Sequence, residues 1–168
     1  MTALPHINET QAKVIRSAVN LAAAFIQKHE RRLRRDKSAG HDAERLAQTL
    51  VFHALQRTLA LVWKDDTQRE LAGVAIAFQT NADHVDACEV AHRSVFEWQP
   101  TDPAGDCIYL ALVITDQPHA MPVLAQYYLS RFPDWERLPA LAHRRNKLVK
   151  ATGLLRRLAN FGQTTPTT

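Results

Sequence analysis

The sequence predicts an α+β domain in which a helical pair leads into a mixed, mostly antiparallel central sheet flanked by helices. Three observations carry this. Apolar residues recur at helical spacing through the first part of the chain, at Val14, Ile15, Ala18, Val19, Ala22, Phe25, Ile26 and Leu33. Two strand-length apolar runs, 58–64 and 71–79, flank the short polar turn Asp65-Asp66-Thr67-Gln68, most simply an antiparallel hairpin. A strand, a turn, a helix, a proline stop and a second strand then follow in order from Cys107 to Arg145, which is a βαβ reading.

Bulk composition narrows the class without choosing a function. The 168 residues, 46% hydrophobic and 23% charged, are enough for one real core. A single domain is expected over 1–168: 1–57 helical, 58–150 carrying the sheet, 151–161 a last helix and 162–168 a polar tail. The net charge of +4 and pI near 9.3 suit a phosphate-bearing cofactor, nucleic acid or an acidic protein face, without separating them. The two cysteines, Cys88 and Cys107, show no metal spacing and make no disulfide framework. Reduced, packed thiols in a cytoplasmic protein are expected. No secretory signal pattern opens the chain. The most apolar helical patch, 18–26, is too short for a membrane span.

Asn8 opens the first helix, and Gln11 three residues later completes a capping box. The helix is expected over 9–35. Its end is strongly basic, with Lys28, Arg31, Arg32, Arg34, Arg35 and Lys37. Two readings stand for that run: a solvated end whose cations complement the helix dipole, or a contact for phosphates or an acidic partner. No aromatic residue interleaves it, so stacking on single strands is not supported. Ser38-Ala39-Gly40 breaks the helix. Asp42 can cap the second, over 43–57, whose stripe is Leu46, Leu50, Val51 and Ala54, with His53 beside it as a core residue or a catalyst.

In the first strand Leu59, Leu61 and Trp63 alternate with Ala60 and Val62, so both faces read as buried. Asp65 and Asp66 read as turn formers rather than a catalytic carboxylate pair. Asn81-Ala82-Asp83 can cap a short helix over 84–96. His84, Cys88 and His92 lie four apart on one face of it, a spacing that zinc can use. A helix face normally supplies two ligands and no matching pair is nearby, so no metal site is expected. A loop over 99–106 leads, after Cys107, into Ile108–Thr115, the central strand. The next helix, 121–131, tolerates Pro122 in its first turn, presents Leu124, Tyr127 and Tyr128, and ends at Pro133. A strand returns over 138–142 towards the basic cluster His143-Arg144-Arg145-Asn146-Lys147. A last helix is expected over 148–161, with Val149, Leu154, Leu155 and Leu158 grouped and Gly162 as its stop.

This order of elements resembles the GNAT acyltransferase fold. Over 58–150 the short motifs resemble one branch, the lysine acyltransferases that fatty-acylate RTX toxins. The matching features are the hairpin around Asp65-Asp66, then Trp98, the pair Gly105-Asp106 and the strand Tyr109 to Thr115. The helix from Tyr127 ending in Phe132-Pro133 and a strand with arginines, Leu138 to Arg145, complete the match. Two departures stand out. The family's catalytic aspartate falls at Leu112, and the nearest acid is Asp116. Its catalytic histidine lies in an N-terminal segment without an aligned counterpart, which leaves His53 as the candidate. The Gly-rich loop that cradles acyl-CoA pyrophosphate in ordinary GNAT enzymes is also missing. No glycine lies between Thr115 and Met121, and Pro118 and Pro122 remove two N–H donors.

The resemblance implies transfer of an acyl group from acyl-CoA or acyl-acyl carrier protein to an amine. Asp116, His119 and His53 are the candidate catalytic residues. The backbone N–H groups of Ala120 and Met121 would receive the carbonyl oxygen or a phosphate, and Arg144, Arg145 and Lys147 would meet phosphates. An acidic acyl carrier protein would suit the Arg31–Arg35 run. The alternative is a GNAT-like module without chemistry that contacts protein or nucleic acid through its basic patches. A basic helical protein bound to nucleic acid is a third reading, for which no helix-turn-helix or RNA-binding signature is present.

Overall fold

A computed structural model describes residues 8–33, 43–85, 104–144 and 147–161. In chain order the elements are α1 (Glu9–Leu33), α2 (Ala43–Leu55), β1 (Leu59–Trp63), β2 (Leu71–Thr80), β3 (Cys107–Thr115), α3 (Ala120–Arg131), β4 (Ala140–Arg144), β5 (Lys147–Lys150) and α4 (Thr152–Phe161). One further helical turn lies at 82–85. The strands form one mixed sheet in the order β1-β2-β3-β4-β5. All neighbours are antiparallel except β3 and β4, which run parallel because α3 carries the chain across. The α+β class and its mixed sheet are as the sequence predicts.

Local signals account for most boundaries. The α1 capping box forms in both directions: Gln11 N–H donates to Asn8 Oδ1 at 2.8 Å and Asn8 N–H to Gln11 Oε1 at 3.0 Å. α2 ends in a Schellman arrangement. Thr58 N–H donates to His53 O, Arg57 N–H donates to Ala54 O, and Arg57 takes the left-handed conformation with φ 57°. The β1–β2 turn is held by Asp65, whose Oδ1 accepts from the N–H and hydroxyl of Thr67.

β2 separates the two faces of the sheet. Val74, Ile76 and Phe78 point into the larger core, beneath Phe25 and Ile26 of α1 and Leu46 and Leu50 of α2. Its other face is built of small residues, and Ala75 and Ala77 pack with Leu124 and Tyr128 of α3. Gly73 marks the closest approach, since a Cβ there would stand 3.0 Å from the Cβ of Ala120. Large residues on one face and small on the other let α3 sit tightly on the sheet. The buried Tyr128 hydroxyl lies 2.8 Å from Thr58 O and 2.9 Å from Ala75 O, which ties α3 to the first two strands. Burial pushes this phenol well above its ordinary value.

One element differs from the sequence expectation. Residues 147–150 are a strand, not the start of the last helix; β5 pairs Val149 with Ala142 and Lys150 with Leu141. A four-residue run holds about one helical repeat, so Val149 fits either period. The competing demand is tertiary, since β4 has a free side that β5 covers. The Thr152 hydroxyl then accepts from Ala140 N–H at 2.9 Å, and α4 starts only there.

Candidate functional site

β3 carries the feature that shapes the site. Its register with β2 shifts by one residue between Leu112↔Ile76 and Leu110↔Ala77, so Ala111 is an extra residue, a β-bulge. The hydrogen bonds show the consequence. Ile108 N–H donates to Pro139 O, on the β4 side, whereas Asp116 N–H donates to Ala72 O of β2. Without the bulge these even-numbered residues would point the same way. Past it, Leu112 and Ile114 address β2, while Val113 and Thr115 turn their N–H groups to the side where β4 lies.

β4 does not meet them. Pairing of β3 with β4 covers Ile108↔Ala140, Tyr109↔Leu141 and Leu110↔Ala142 and then stops, although β4 runs on to Arg144 and β3 to Thr115. Past Leu110 and Ala142 the two parallel strands are no longer paired. The carboxyl ends of parallel strands are where open sheets with crossover helices bind ligands. Here that end offers two strand N–H groups without a ladder partner among the described residues.

The β3–α3 turn follows directly on this end of β3. The Asp116 carboxylate lies 3.6 Å from Lys64 Nζ, which in turn bonds Glu70 at 2.9 Å. His119 is exposed and is the N-cap of α3, with no side-chain capping bond. Ala120 N–H already donates to Gln117 O at 3.1 Å, and Ala120 is fully buried. Pro122 has no N–H. Met121 N–H is thus a first-turn donor that helix geometry leaves without an intrahelical partner. Arg144 and Lys147 pair across the β4–β5 turn, at the same end of the sheet. Arg145 lies outside the described residues, as do Arg34, Arg35, Cys88 and His92.

His53 is not brought to this site. It is fully buried on the opposite face of the sheet, its ring stacked on Phe78 and its Nδ1 bonded to Thr58 Oγ1 at 2.8 Å. Phe78 is level with Tyr109, so His53 stands about 20 Å up the strand from Asp116 at ~3.3 Å per residue. Leu112 packs against the larger core, where the resemblance places a carboxylate. The sequence reading passed over His29. It is 4% exposed, stacks on Phe25 at 4.4 Å, and its Nε2 has no hydrogen-bond partner among the described residues. Its position four residues after Phe25, on the apolar face, was the available signal.

The ions around Asp116 give a pH test. Glu70 is held below its ordinary 4.5, first by the hydrogen bond from Lys64, and the same bond raises Lys64 above 10.5. A depressed carboxyl stabilises the fold above its unfolded value and loses that contribution as pH falls through the folded one. A raised ammonium does so below 10.5 and loses it as pH rises further. The midpoint difference between wild type and Glu70→Gln is therefore expected between about pH 4.5 and 10.5. It closes as pH drops below that window, and salt shrinks it because the groups are solvated. Thermal denaturation across a pH series measures it.

Of the described residues, no helix is long and apolar enough to cross a membrane, and no cluster of three metal-ligating side chains occurs. No protein-family model, no curated protein and no solved structure matches the chain.

Proposed function

We propose that this protein is a GNAT-like acyltransferase. It takes an acyl thioester, on coenzyme A or on acyl carrier protein, at the carboxyl ends of β3 and β4 and transfers the acyl group to an amine. The observation that carries this is the end of β3–β4 pairing at Leu110, next to the Ala111 bulge. A phosphopantetheine arm is a narrow chain of amides, able to lie along β3 as an added strand and accept from Val113 and Thr115 N–H. Its phosphate end would lie towards the Arg144–Lys147 turn.

In the reaction the amine nitrogen attacks the thioester carbonyl, the C–N bond forms and the C–S bond breaks. The nitrogen's proton passes to His119 and then to the departing sulfur, which leaves as a thiol. Asp116, paired to Lys64, fixes one side of the turn that carries His119. Thiol release from acyl-CoA and acyl-acyl carrier protein, followed with a thiol reagent in the presence of a lysine-containing peptide pool, tests the proposal. His119→Ala is expected to slow release by roughly 10²–10⁴-fold, the usual worth of a general base. An unchanged rate would remove His119 from the reaction.

A second reading is favoured by Leu112, whose apolar side chain packs into the core. In it the fold is kept and the chemistry lost, and the protein serves as a binding or assembly module. Donor binding without thiol release distinguishes the two.

A further inference from the structure

Among the described residues β1, Leu-Ala-Leu-Val-Trp, is an edge of the sheet that carries neither a charge nor a proline, two of the devices that protect an edge. The bulge in its pairing with β2 falls on Ala72 of β2 rather than on β1 itself. Thr58 O accepts from Ala77 N–H, and Lys64 N–H donates to Glu70 O, so even-numbered residues address β2. Leu59, Leu61 and Trp63 therefore direct their N–H and C=O groups away from the sheet. α3 exposes Val123 (46%) and Tyr127 (36%) beside them, and with 59–62 these line an apolar groove of about 170 Å³. On the other face α2, also packed on β1, exposes Val51 (39%). Among the described residues, three of the six exposed large apolar side chains thus lie on the two helices that flank this edge strand.

From this we infer that the chain forms a symmetric dimer, in which β1 pairs antiparallel with β1 of a second copy about a two-fold axis at Leu61. The strand is self-complementary in that register. Leu61 faces Leu61, and Leu59 faces Trp63 at both ends. The three opposed positions exchange six hydrogen bonds among the outward groups. Beyond the strand, Arg57 of one copy and Asp65 of the other lie in the turns at the same end of the pair, so opposite charges close each end. Moving the centre by one residue loses two of the six bonds. The helices agree. α3 packs on β1 and β2 alike, and strands lie about 4.8 Å apart. The two copies of α3 then stand about 10 Å apart, the spacing of packed helices, with Val123 and Tyr127 between them. This inference is independent of the acyl-transfer proposal.

Sedimentation velocity of the whole chain over a concentration series tests it. A species of twice 19.0 kDa is expected. Arg57→Asp, which sets like charges at both ends, is expected to weaken the dimer by about ten-fold or more. The left-handed backbone at Arg57 accepts Asp readily. Val123→Glu, at an exposed position that leaves the core intact, also weakens it. Amide exchange at Leu59, Leu61 and Trp63 is slow in the dimer and fast in these variants. A chain that stays monomeric at its highest soluble concentration overturns the inference. So does a dimer indifferent to Arg57→Asp and Val123→Glu, or a monomer with those amides protected, in which the chain's own residues cover the edge.

Discussion

Replacing Gly105 with alanine is expected to destabilise the protein by about 3 kcal/mol or more. A Cβ at this position would stand 2.1 Å from the carbonyl carbon of Thr80, 2.2 Å from its oxygen and 2.5 Å from its Cα. All three are backbone atoms, so no rotamer change relieves the collision. The backbone there is held from several sides. Thr80 is fully buried and pairs with Cys107, whose thiol donates to Thr80 O at 3.2 Å. Gln79 Nε2 donates to Gly105 O at 2.7 Å, and Asp106 Oδ1 accepts from Ala82 N–H at 2.8 Å. The Gly-Asp pair thus locks the entry of β3 against the exit of β2. Urea unfolding of Gly105→Ala gives the loss directly. Gly153→Ala is the control: a Cβ there meets nothing within 4 Å in a helix, and alanine is expected to be neutral or to stabilise by up to about 1 kcal/mol. Equal stability of Gly105→Ala and wild type would show that the two strand ends are not in contact.

Val113→Pro is expected to leave the fold in place and weaken binding of an acyl thioester by at least about ten-fold, the worth of one strand hydrogen bond and the room for it. Val113 sits opposite Ala75 in β2, but its N–H points away from that strand. Proline therefore removes no β2–β3 bond, which is the setting in which strands tolerate it. Its side chain is 38% exposed, so little packing is lost. Val113→Ala keeps the N–H and is expected to bind donor as wild type does. Isothermal titration of both variants makes the comparison. Equal affinities would mean that the donor does not lie along β3.

Elements set by local chemistry were legible in the sequence. The α1 cap, the β1–β2 hairpin, the proline at the start of α3 and the strand–helix–strand order all follow from neighbouring residues. The features that set the end of β3 apart were not. The bulge falls within an uninterrupted apolar run, Ala111-Leu112-Val113, where no glycine or polar residue marks it. Where the pairing of β3 with β4 stops is a property of two distant segments. Asp116 and His119 could be placed at the end of β3 because they follow the run directly. The Lys64 partner of Asp116 comes from another strand and left no sequence signal. His53 lay beside an apolar stripe, and only tertiary packing put it against Phe78. Tyr127 and Tyr128 read alike, yet Tyr128 is buried on two carbonyl oxygens while Tyr127 stays about a third exposed, its hydroxyl on Arg57 O.

The central proposal, a thioester held at the carboxyl ends of β3 and β4, is tested most directly by thermal denaturation with and without its donors. The set is acetyl-CoA, a long-chain acyl-CoA and an acyl-acyl carrier protein. A ligand that binds only the folded chain raises stability by about 2.7 kcal/mol at a hundred times its Kd. At least one donor is predicted to raise the midpoint clearly in wild type and far less in Val113→Pro. A midpoint unmoved by all three, with the CoA thioesters at millimolar concentration, would contradict the proposal.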